Sequence, residues 1–187
     1  TAARADRLGI AGREIFEELL IRQKEAQQDD LPRVELETNK GRIVLELYEN
    51  QAPNTVSNFI ALTQAGHFND IQFHRVIDGF MAQTGDVQFG KKDGDTARAG
   101  QGGSDMADLP AEFSEVPYER GTVGMARAND PNSANSQFFI MFVTPPKDAD
   151  NLTGQYTVIG KVIKGMEVVD AITKGEPPSD PDVMAKV

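Results

Sequence analysis

The sequence predicts a mainly β fold in one domain, with a helical segment in front of it. Its 187 residues include 17 Gly and 10 Pro, a content that indicates many turns between short strands. From Val34 onward, apolar and polar residues alternate, which is the period of a strand with one buried face. Hydrophobic residues make up 39% of the chain, enough to form a core, and the length favours a single domain with an appendage.

The first predicted element is a helix over residues 2–28. Apolar residues recur there at spacings of three and four, which places them on one stripe of a helix. Pro32 ends the segment, because proline cannot continue a helix. A single helix cannot bury its own stripe, so we expect it to pack either on the rest of this chain or on another protein. The stripe comprises Leu8, Ala11, Ile15, Phe16, Leu19 and Leu20.

A β-hairpin and a helix are predicted next. Residues 34–47 alternate on both sides of Asn39-Lys40-Gly41, a sequence typical of a tight turn. A helix then begins at Pro53 and ends at Gly66, since proline favours the first turn of a helix and glycine its end. The remaining predictions are short strands at 71–76, 80–84, 121–127, 136–143 and 156–162, a helix near 165–173, and an extended surface tail over 176–181.

Charge and composition exclude several classes of function. A formal net charge of −10 would repel a phosphate backbone, so no nucleic-acid role is predicted. No stretch approaches the ~20 apolar residues of a membrane span. A signal peptide is absent or already removed, which leaves both the cytoplasm and the periplasm open as compartments.

The familiar catalytic and cofactor motifs are missing. The chain has no Cys, and its two His, His67 and His74, do not have the spacing of zinc ligands. There is no G-x-S-x-G motif and no phosphate-binding glycine loop in front of a helix. We therefore expect neither a metal nor a cofactor.

An unusual cluster of residues lies between positions 73 and 83. Alternation places Phe73 and Arg75 on one face of a strand, and Met81 and Gln83 together on a face of the next. An apolar groove with an Arg and a Gln as polar groups has the composition of a peptide-binding site. A core of Phe and Met with Arg75 at its rim has the same composition, so the residues alone leave both interpretations open.

Three motifs resemble the signatures of the cyclophilins, a family of peptidyl-prolyl cis/trans isomerases. They read FHRVIDGFMAQTGD at 73–86, SQFFI at 136–140 and GQYTVIGKV at 154–162, and their order and spacing agree with the family over residues 34–174. The segment Asp130-Pro131-Asn132-Ser133 is similar to the bacterial branch. Asn151 stands where animal cyclophilins have Trp, and Tyr156 where they have His.

The resemblance implies a closed eight-stranded antiparallel β-barrel capped by two helices, formed by residues 33–187. Residues 1–32 lie outside the resemblance, and their apolar pattern predicts an N-terminal amphipathic helical extension, a possible docking site for a protein partner. The implied activity is acceleration of rotation about X-Pro bonds in proline-containing polypeptides, which assists protein folding. The alternative is a proline-peptide binding module, or a structural subunit of a larger assembly, in which turnover is incidental.

The resemblance also implies roles for individual residues. Arg75 corresponds to the catalytic Arg. A proline pocket, two glutamines that bind substrate main chain, and a wall beside them would contact the peptide. The implied substrate-binding residues are Phe73, His74, Phe80, Met81, Gln83, Ala126, Arg127, Ala128, Gln137, Phe139, Leu152 and Tyr156.

Removal of residues 1–30 is expected to lower thermal stability or to break an assembly, yet to leave kcat/KM on a short Pro peptide within a few-fold. Activity should persist because all three motifs lie after residue 70. A truncation series followed by thermal melts, size measurement and the peptide assay checks this expectation. Loss of activity in a truncated protein that stays folded would mean that the helix helps to form the substrate groove.

Overall fold

The structure, a computed structural model, describes residues 16–17, 19–20, 30–95 and 97–187. The chain divides into two units, Thr1–Leu31 and Pro32–Val187. In the first unit, Phe16, Glu17, Leu19 and Leu20 are helical. The rest of the helix predicted over 2–28 lies outside the described residues. The N-terminal helical extension over 1–32, and its packing, therefore stay predictions.

In the described part of the chain, nine strands form one antiparallel sheet. Their hydrogen-bonded order is β3-β9-β1-β2-β8-β6-β7-β5-β4. The end strands β3 and β4 are consecutive along the chain, separated by Phe73 and His74, so the curled sheet returns to the segment where it began. The strands are β1 (Arg33–Thr38), β2 (Gly41–Leu47), β3 (Ile71–Gln72), β4 (Arg75–Ile77), β5 (Met81–Thr84), β6 (Thr122–Met125), β7 (Phe138–Met141), β8 (Val158–Lys164) and β9 (Val183–Lys186).

The mainly β fold is confirmed, whereas the closed barrel of eight strands is corrected to a curled sheet of nine in the described residues. The predicted strand 71–76 is divided at Phe73 and His74, whose side chains both turn inward and are buried. Because the chain bends there, β3 pairs with β9 and β4 pairs with β5, and β3 and β4 do not pair with each other.

The C-terminal strand β9 was not predicted from the sequence. It pairs with β1 and β3, and the residue before it, Asp182, is almost fully buried. The Asp182 carboxylate accepts hydrogen bonds from Asn39 Nδ2 at 2.6 Å and from the backbone N–H of Thr173 at 2.7 Å. Burial opposes ionisation of Asp182, but these hydrogen bonds hold its pKa below the ordinary value. A buried carboxylate thus attaches β9 to the β1–β2 turn.

Between residues 30 and 187, Thr96 apart, the structure describes two helices, as predicted. They are α1 (Pro53–Gln64) and α2 (Met166–Asp170). Helix α1 begins with its Pro and buries Val56, Phe59 and Leu62 against the sheet. The Phe59 ring contacts the rings of Phe68 and Phe138 at centroid distances of 5.0 and 5.1 Å. None of the helices in the described ranges has the length and apolarity that crossing a bilayer requires.

The N-terminus of α1 is capped from a distant part of the chain. Ala52, which precedes the helix, provides no side-chain hydrogen bond. Instead, the Glu112 carboxylate accepts the backbone N–H groups of Asn54 and Thr55 at 3.1 and 2.9 Å, and the Thr55 hydroxyl at 2.6 Å. These bonds satisfy two free N–H groups and place a negative charge at the positive end of the helix dipole. The cap also attaches the long connection between β5 and β6 to α1.

Replacement Glu112→Ala is expected to lower the free energy of unfolding by about 1 kcal/mol, the usual loss when a helix cap is removed. Glu112→Gln should cost less, because an amide oxygen still accepts hydrogen bonds. Urea denaturation measures both, with Glu115→Ala as the control, an exposed glutamate in the same connection. Equal stability of Glu112→Ala and the control would contradict the capping role.

Candidate active site

A pocket of about 360 Å³ lies where β4, β5 and β7 meet the segments around residues 126 and 154. We call it the first pocket. It brings together nine of the residues that the sequence analysis assigned to the site. They are Arg75, Phe80, Met81, Gln83, Ala126, Arg127, Phe139, Leu152 and Tyr156.

The floor of the first pocket is a small apolar cluster that is separate from the main core. Met81 and Phe139 are buried in it, and Tyr118 supports them from below. The Tyr118 ring stacks on Phe139 with 5.8 Å between centroids, and its hydroxyl donates to the backbone oxygen of Tyr156 at 3.1 Å. Burial raises the pKa of Tyr118, so the phenol stays a neutral donor.

Tyr118 is a site residue that the sequence reasoning missed. Its place depends on Gly124 in β6, because a Cβ at that position would lie 2.2 Å from the Tyr118 hydroxyl and 2.8 Å from the Phe139 ring. The signal in the sequence was a Gly within a predicted strand, which often marks a close approach of another group. The phenol therefore fills the space that a side chain on β6 would otherwise occupy.

The polar side chains of the first pocket are aligned by strand register. Arg75 lies opposite Gln83 in the β4–β5 ladder, and Gln83 lies opposite Phe139 in the β5–β7 ladder. The Nε–H group of Arg75 donates to Oε1 of Glu176 at 2.8 Å, and 47% of the Arg75 side chain is exposed. The guanidinium thus stands at the rim of a pocket with an apolar floor, with an amide beside it.

A hydrogen-bond network fixes the orientation of Gln83. Nε2 of Gln137 donates to the backbone oxygens of Gly100 and Gly102 at 3.0 and 2.8 Å, so Oε1 of Gln137 points the other way. That oxygen accepts a hydrogen bond from Nε2 of Gln83 at 2.9 Å. The side-chain oxygen of Gln83 takes no part in this network.

Arg127 and Tyr156 form one wall. The Arg127 guanidinium lies 4.4 Å above the Tyr156 ring and donates through Nη2 to the Gln155 backbone oxygen at 2.8 Å. The Tyr156 ring in turn meets Phe139 edge-on at 6.1 Å. Cation–π and hydrogen-bond contacts hold both side chains in place without a ligand.

A second pocket of about 260 Å³ adjoins the first and shares Gln83, Ala126 and Arg127 with it. We call the two pockets together the groove. The predicted residues Ala128 and Gln137 line the second pocket, not the first. Its other lining residues are Gly100, Gln101, Gly102, Ser133, Asn135 and Ser136.

The glycine-rich side of the second pocket is built on a buried carboxylate that sequence reasoning did not assign. Oδ2 of Asp86 accepts the backbone N–H groups of Gly100 and Gly102 at 2.7 and 3.0 Å. Its Oδ1 accepts those of Gln88 and Phe89 at 3.0 and 2.9 Å. Four hydrogen bonds offset the cost of burying Asp86, which is fully inaccessible to solvent.

Phe73 and His74, predicted to bind substrate, line neither the first nor the second pocket. Phe73 belongs to the main core and is completely buried. His74 is 5% exposed and packs behind the second pocket, where a Cβ on Gly100 would lie 2.8 Å from its ring. Both residues sit in the bend between β3 and β4, where strand alternation does not apply.

The His74 ring is buried without a hydrogen bond to either nitrogen among the described residues. Burial lowers its pKa below the ordinary value of 6.5; the Arg75 charge acts in the same direction, and Asp86 opposes it. The folded protein therefore resists protonation of His74 more than the unfolded chain does. In the ranges that the structure describes, no three His, Asp or Glu side chains are grouped as metal ligands.

This chain is similar in sequence to a family of known proteins. A family model described as cyclophilin type peptidyl-prolyl cis-trans isomerase/CLD matches residues 33–187. A probable peptidyl-prolyl cis-trans isomerase of Brucella suis biovar 1 is 56% identical over 142 residues, which are 75% of this chain and 70% of the relative. Peptidyl-prolyl cis-trans isomerase cyp18 of Streptomyces antibioticus is 41% identical over 144 residues, covering 74% of this chain and 81% of its own.

Solved structures are similar over most of the chain. A Cryptosporidium parvum cyclophilin type peptidyl-prolyl cis-trans isomerase, crystallised in the presence of the dipeptide Ala-Pro, is 31% identical with a TM-score of 0.70. The match covers 83% of this chain and 96% of that one. Cyclophilin AquaCyp293 from Hirschia baltica is 28% identical with a TM-score of 0.68, covering 82% of this chain and 72% of its own.

The lowered pKa of His74 predicts a pH dependence of stability. As pH falls through 6.5, the unfolded chain takes up a proton that the folded chain refuses until a lower pH, so stability is lost on acidification through this window. His74→Gln should make the stability profile shallower between about pH 7 and pH 5. His67→Gln, which removes the exposed histidine, is the control and should keep the wild-type slope. Denaturant melts across this range measure it, and an unchanged slope in His74→Gln would contradict the prediction.

Proposed function

This chain belongs to the cyclophilin-type family of peptidyl-prolyl cis/trans isomerases, and we propose that the groove is its isomerase site, with Arg75 as the catalytic residue. One observation carries the assignment. The Arg75 guanidinium stands at the rim of a pocket with an apolar floor, and Gln83 and Phe139 lie beside it in register. The chain therefore presents the Arg75 guanidinium, the Gln83 amide and the apolar floor of the first pocket to the same bound segment.

The reaction sets a simple requirement for the site. Amide resonance gives the X-Pro bond partial double-bond character, and the barrier to rotation is about 18–20 kcal/mol. In the twisted state the amide is no longer conjugated, and the proline nitrogen becomes pyramidal and regains a lone pair. A donor placed against this nitrogen forms a hydrogen bond that is absent in both planar states. Such a donor stabilises the transition state selectively.

Arg75 suits that role because a guanidinium stays charged at every working pH and holds its donors in a rigid fork. The floor and walls of the first pocket give the proline ring an apolar surface that grips it while the rest of the peptide rotates. Exclusion of water by the same surface strengthens the hydrogen bond from Arg75. Met81, Phe139 and Leu152 would contact the ring most directly.

Proline-containing polypeptides are the substrates that fit this site. We assign the direct contact with substrate main chain to Gln83, whose side-chain oxygen takes no part in the bond to Gln137 and would accept a peptide N–H group. Gln137 already bonds to Gln83 and to the backbone oxygens of Gly100 and Gly102, so we assign it the role of holding Gln83 in place. Arg127 would pair with the peptide through its backbone, since its side chain is engaged by Gln155.

We further propose that residues 1–32 dock a protein partner. The support is the apolar stripe in the sequence, which includes Phe16, Leu19 and Leu20 in the described helical residues. A net charge of −10 disfavours nucleic acid as that partner.

A binding module with incidental turnover remains the alternative, and a turnover assay on a Pro peptide separates it from the enzyme.

Arg75→Ala is expected to lower kcat/KM by about 10²–10³, the usual effect of losing one transition-state donor, with no change of fold. Arg75→Lys should also be poor, because a point charge does not reproduce the fork. A coupled or NMR assay of cis/trans exchange on an X-Pro peptide measures the rate, and circular dichroism and thermal melts verify the fold. Arg42→Ala, which removes an exposed Arg on β2 outside the groove, is the matched control. Near-normal kcat/KM in Arg75→Ala would overturn the assignment.

A further inference from the structure

We infer that Glu176 positions the Arg75 guanidinium for catalysis, which makes it a positioning residue contributed by the C-terminal part of the chain. The inference rests on the proposed role of Arg75. The two side chains come from segments 101 residues apart, and no motif used to recognise the site includes Glu176.

Backbone pairing brings the two residues together. Val76 and Gly175 form an antiparallel bridge, in which each N–H donates to the other's carbonyl oxygen at 2.8 Å. In such a bridge the residue before one partner lies opposite the residue after the other, so Glu176 stands directly across from Arg75. Side chains at opposed positions have Cβ atoms about 4.5–5.5 Å apart, close enough for a short ion pair.

Glu176 contacts Arg75 at Nε, the nitrogen that joins the guanidinium to the rest of the side chain. Oε1 of Glu176 accepts a hydrogen bond from Nε–H of Arg75 at 2.8 Å. Arginine has one N–H on Nε and four on the two terminal nitrogens, all in one rigid plane. Fixing the Nε–H direction therefore fixes that plane and leaves the terminal N–H groups for the pocket. Gln83 lies across from Arg75 on its other side, so the guanidinium stands between an amide and a carboxylate.

Exposure separates this role from a contribution to stability. The Arg75 and Glu176 side chains are 47% and 53% exposed, and ion pairs in such a setting contribute little to the free energy of folding. A carboxylate so placed has a larger effect on where the guanidinium rests than on whether the protein folds. Removing it should therefore lower turnover and leave the melting temperature nearly unchanged.

The test measures kcat and KM separately, by NMR exchange of an X-Pro peptide at increasing concentrations. Glu176→Ala should lower kcat about three- to fivefold with KM nearly unchanged, because the hydrogen bond that Arg75 makes exists only in the transition state and an exposed pair is modest in strength. Glu176→Gln should fall between wild type and Glu176→Ala, since an amide oxygen still accepts from Nε–H. The Nε–H resonance of Arg75, assigned with Arg75→Lys, should shift in both variants.

A matched control is available on the β1–β2 hairpin. Oε1 of Glu35 accepts from Nε of Arg42 at 2.6 Å, the same atoms as in the Arg75–Glu176 pair but outside the groove. Glu35→Ala should leave kcat and KM at wild-type values. A comparable fall of kcat in Glu35→Ala would show that loss of any such surface pair has this effect, and would overturn the inference.

Combining the variants distinguishes failure of the inference from failure of the proposed function. Glu176→Ala should have no further effect in the Arg75→Ala background. If Arg75→Ala is inactive but Glu176→Ala keeps wild-type kcat, or raises it, the positioning role is wrong and the catalytic role of Arg75 stands. An equal fall of kcat with and without Arg75 would show that Glu176 acts by another route. Normal activity of Arg75→Ala would overturn both proposals.

Discussion

Two adjacent rows of residues run across the sheet from β4 to β6, and the register that creates them underlies the rest of the site. One row consists of Val76, Ala82, Ile140 and Val123, each almost completely buried in the core. The neighbouring row consists of Arg75, Gln83, Phe139 and Gly124, and its first three members line the groove. A slip of one residue in any strand would exchange the faces, carrying Arg75 or Gln83 into the core. Burial of the apolar row is therefore what aligns the functional row.

The groove row continues beyond the sheet at both ends. Glu176 extends it past Arg75 through the bridge between Val76 and Gly175. At the other end the row closes on Gly124, where the missing side chain admits Tyr118 beneath Phe139. An ion pair and an aromatic stack thus support the two ends of one line of side chains. Tyr118 and Glu176 both lie outside the strands, so the site also depends on the segments that connect them.

The long connection between β5 and β6 owes its order to polar side chains instead of regular structure. At the start of the connection, Asp86 accepts hydrogen bonds from four backbone N–H groups. In the later part of the connection, Glu112 bonds to the N-terminus of α1. Near the middle, Oδ1 of Asn135 accepts the N–H and the hydroxyl of Ser104 at 2.8 and 2.7 Å. Polar groups that are wholly or partly buried favour the one conformation in which they keep these hydrogen bonds. The second pocket is formed by this loop, so its shape depends on those few hydrogen bonds.

The sequence by itself determined the mainly β class, the hairpin of β1 and β2, helix α1 and the family, since alternation, turn residues and three long motifs are local properties of the chain. It also identified Arg75, Gln83 and the apolar residues of the first pocket. Only the tertiary structure placed Phe73 and His74 in a buried bend, added β9, and put Tyr118 and Glu176 beside the site. Alternation states which face of its own strand a residue occupies. Which residues of other segments it meets depends on register and pairing between parts of the chain as far apart as Arg75 and Glu176, and no local pattern carries that information.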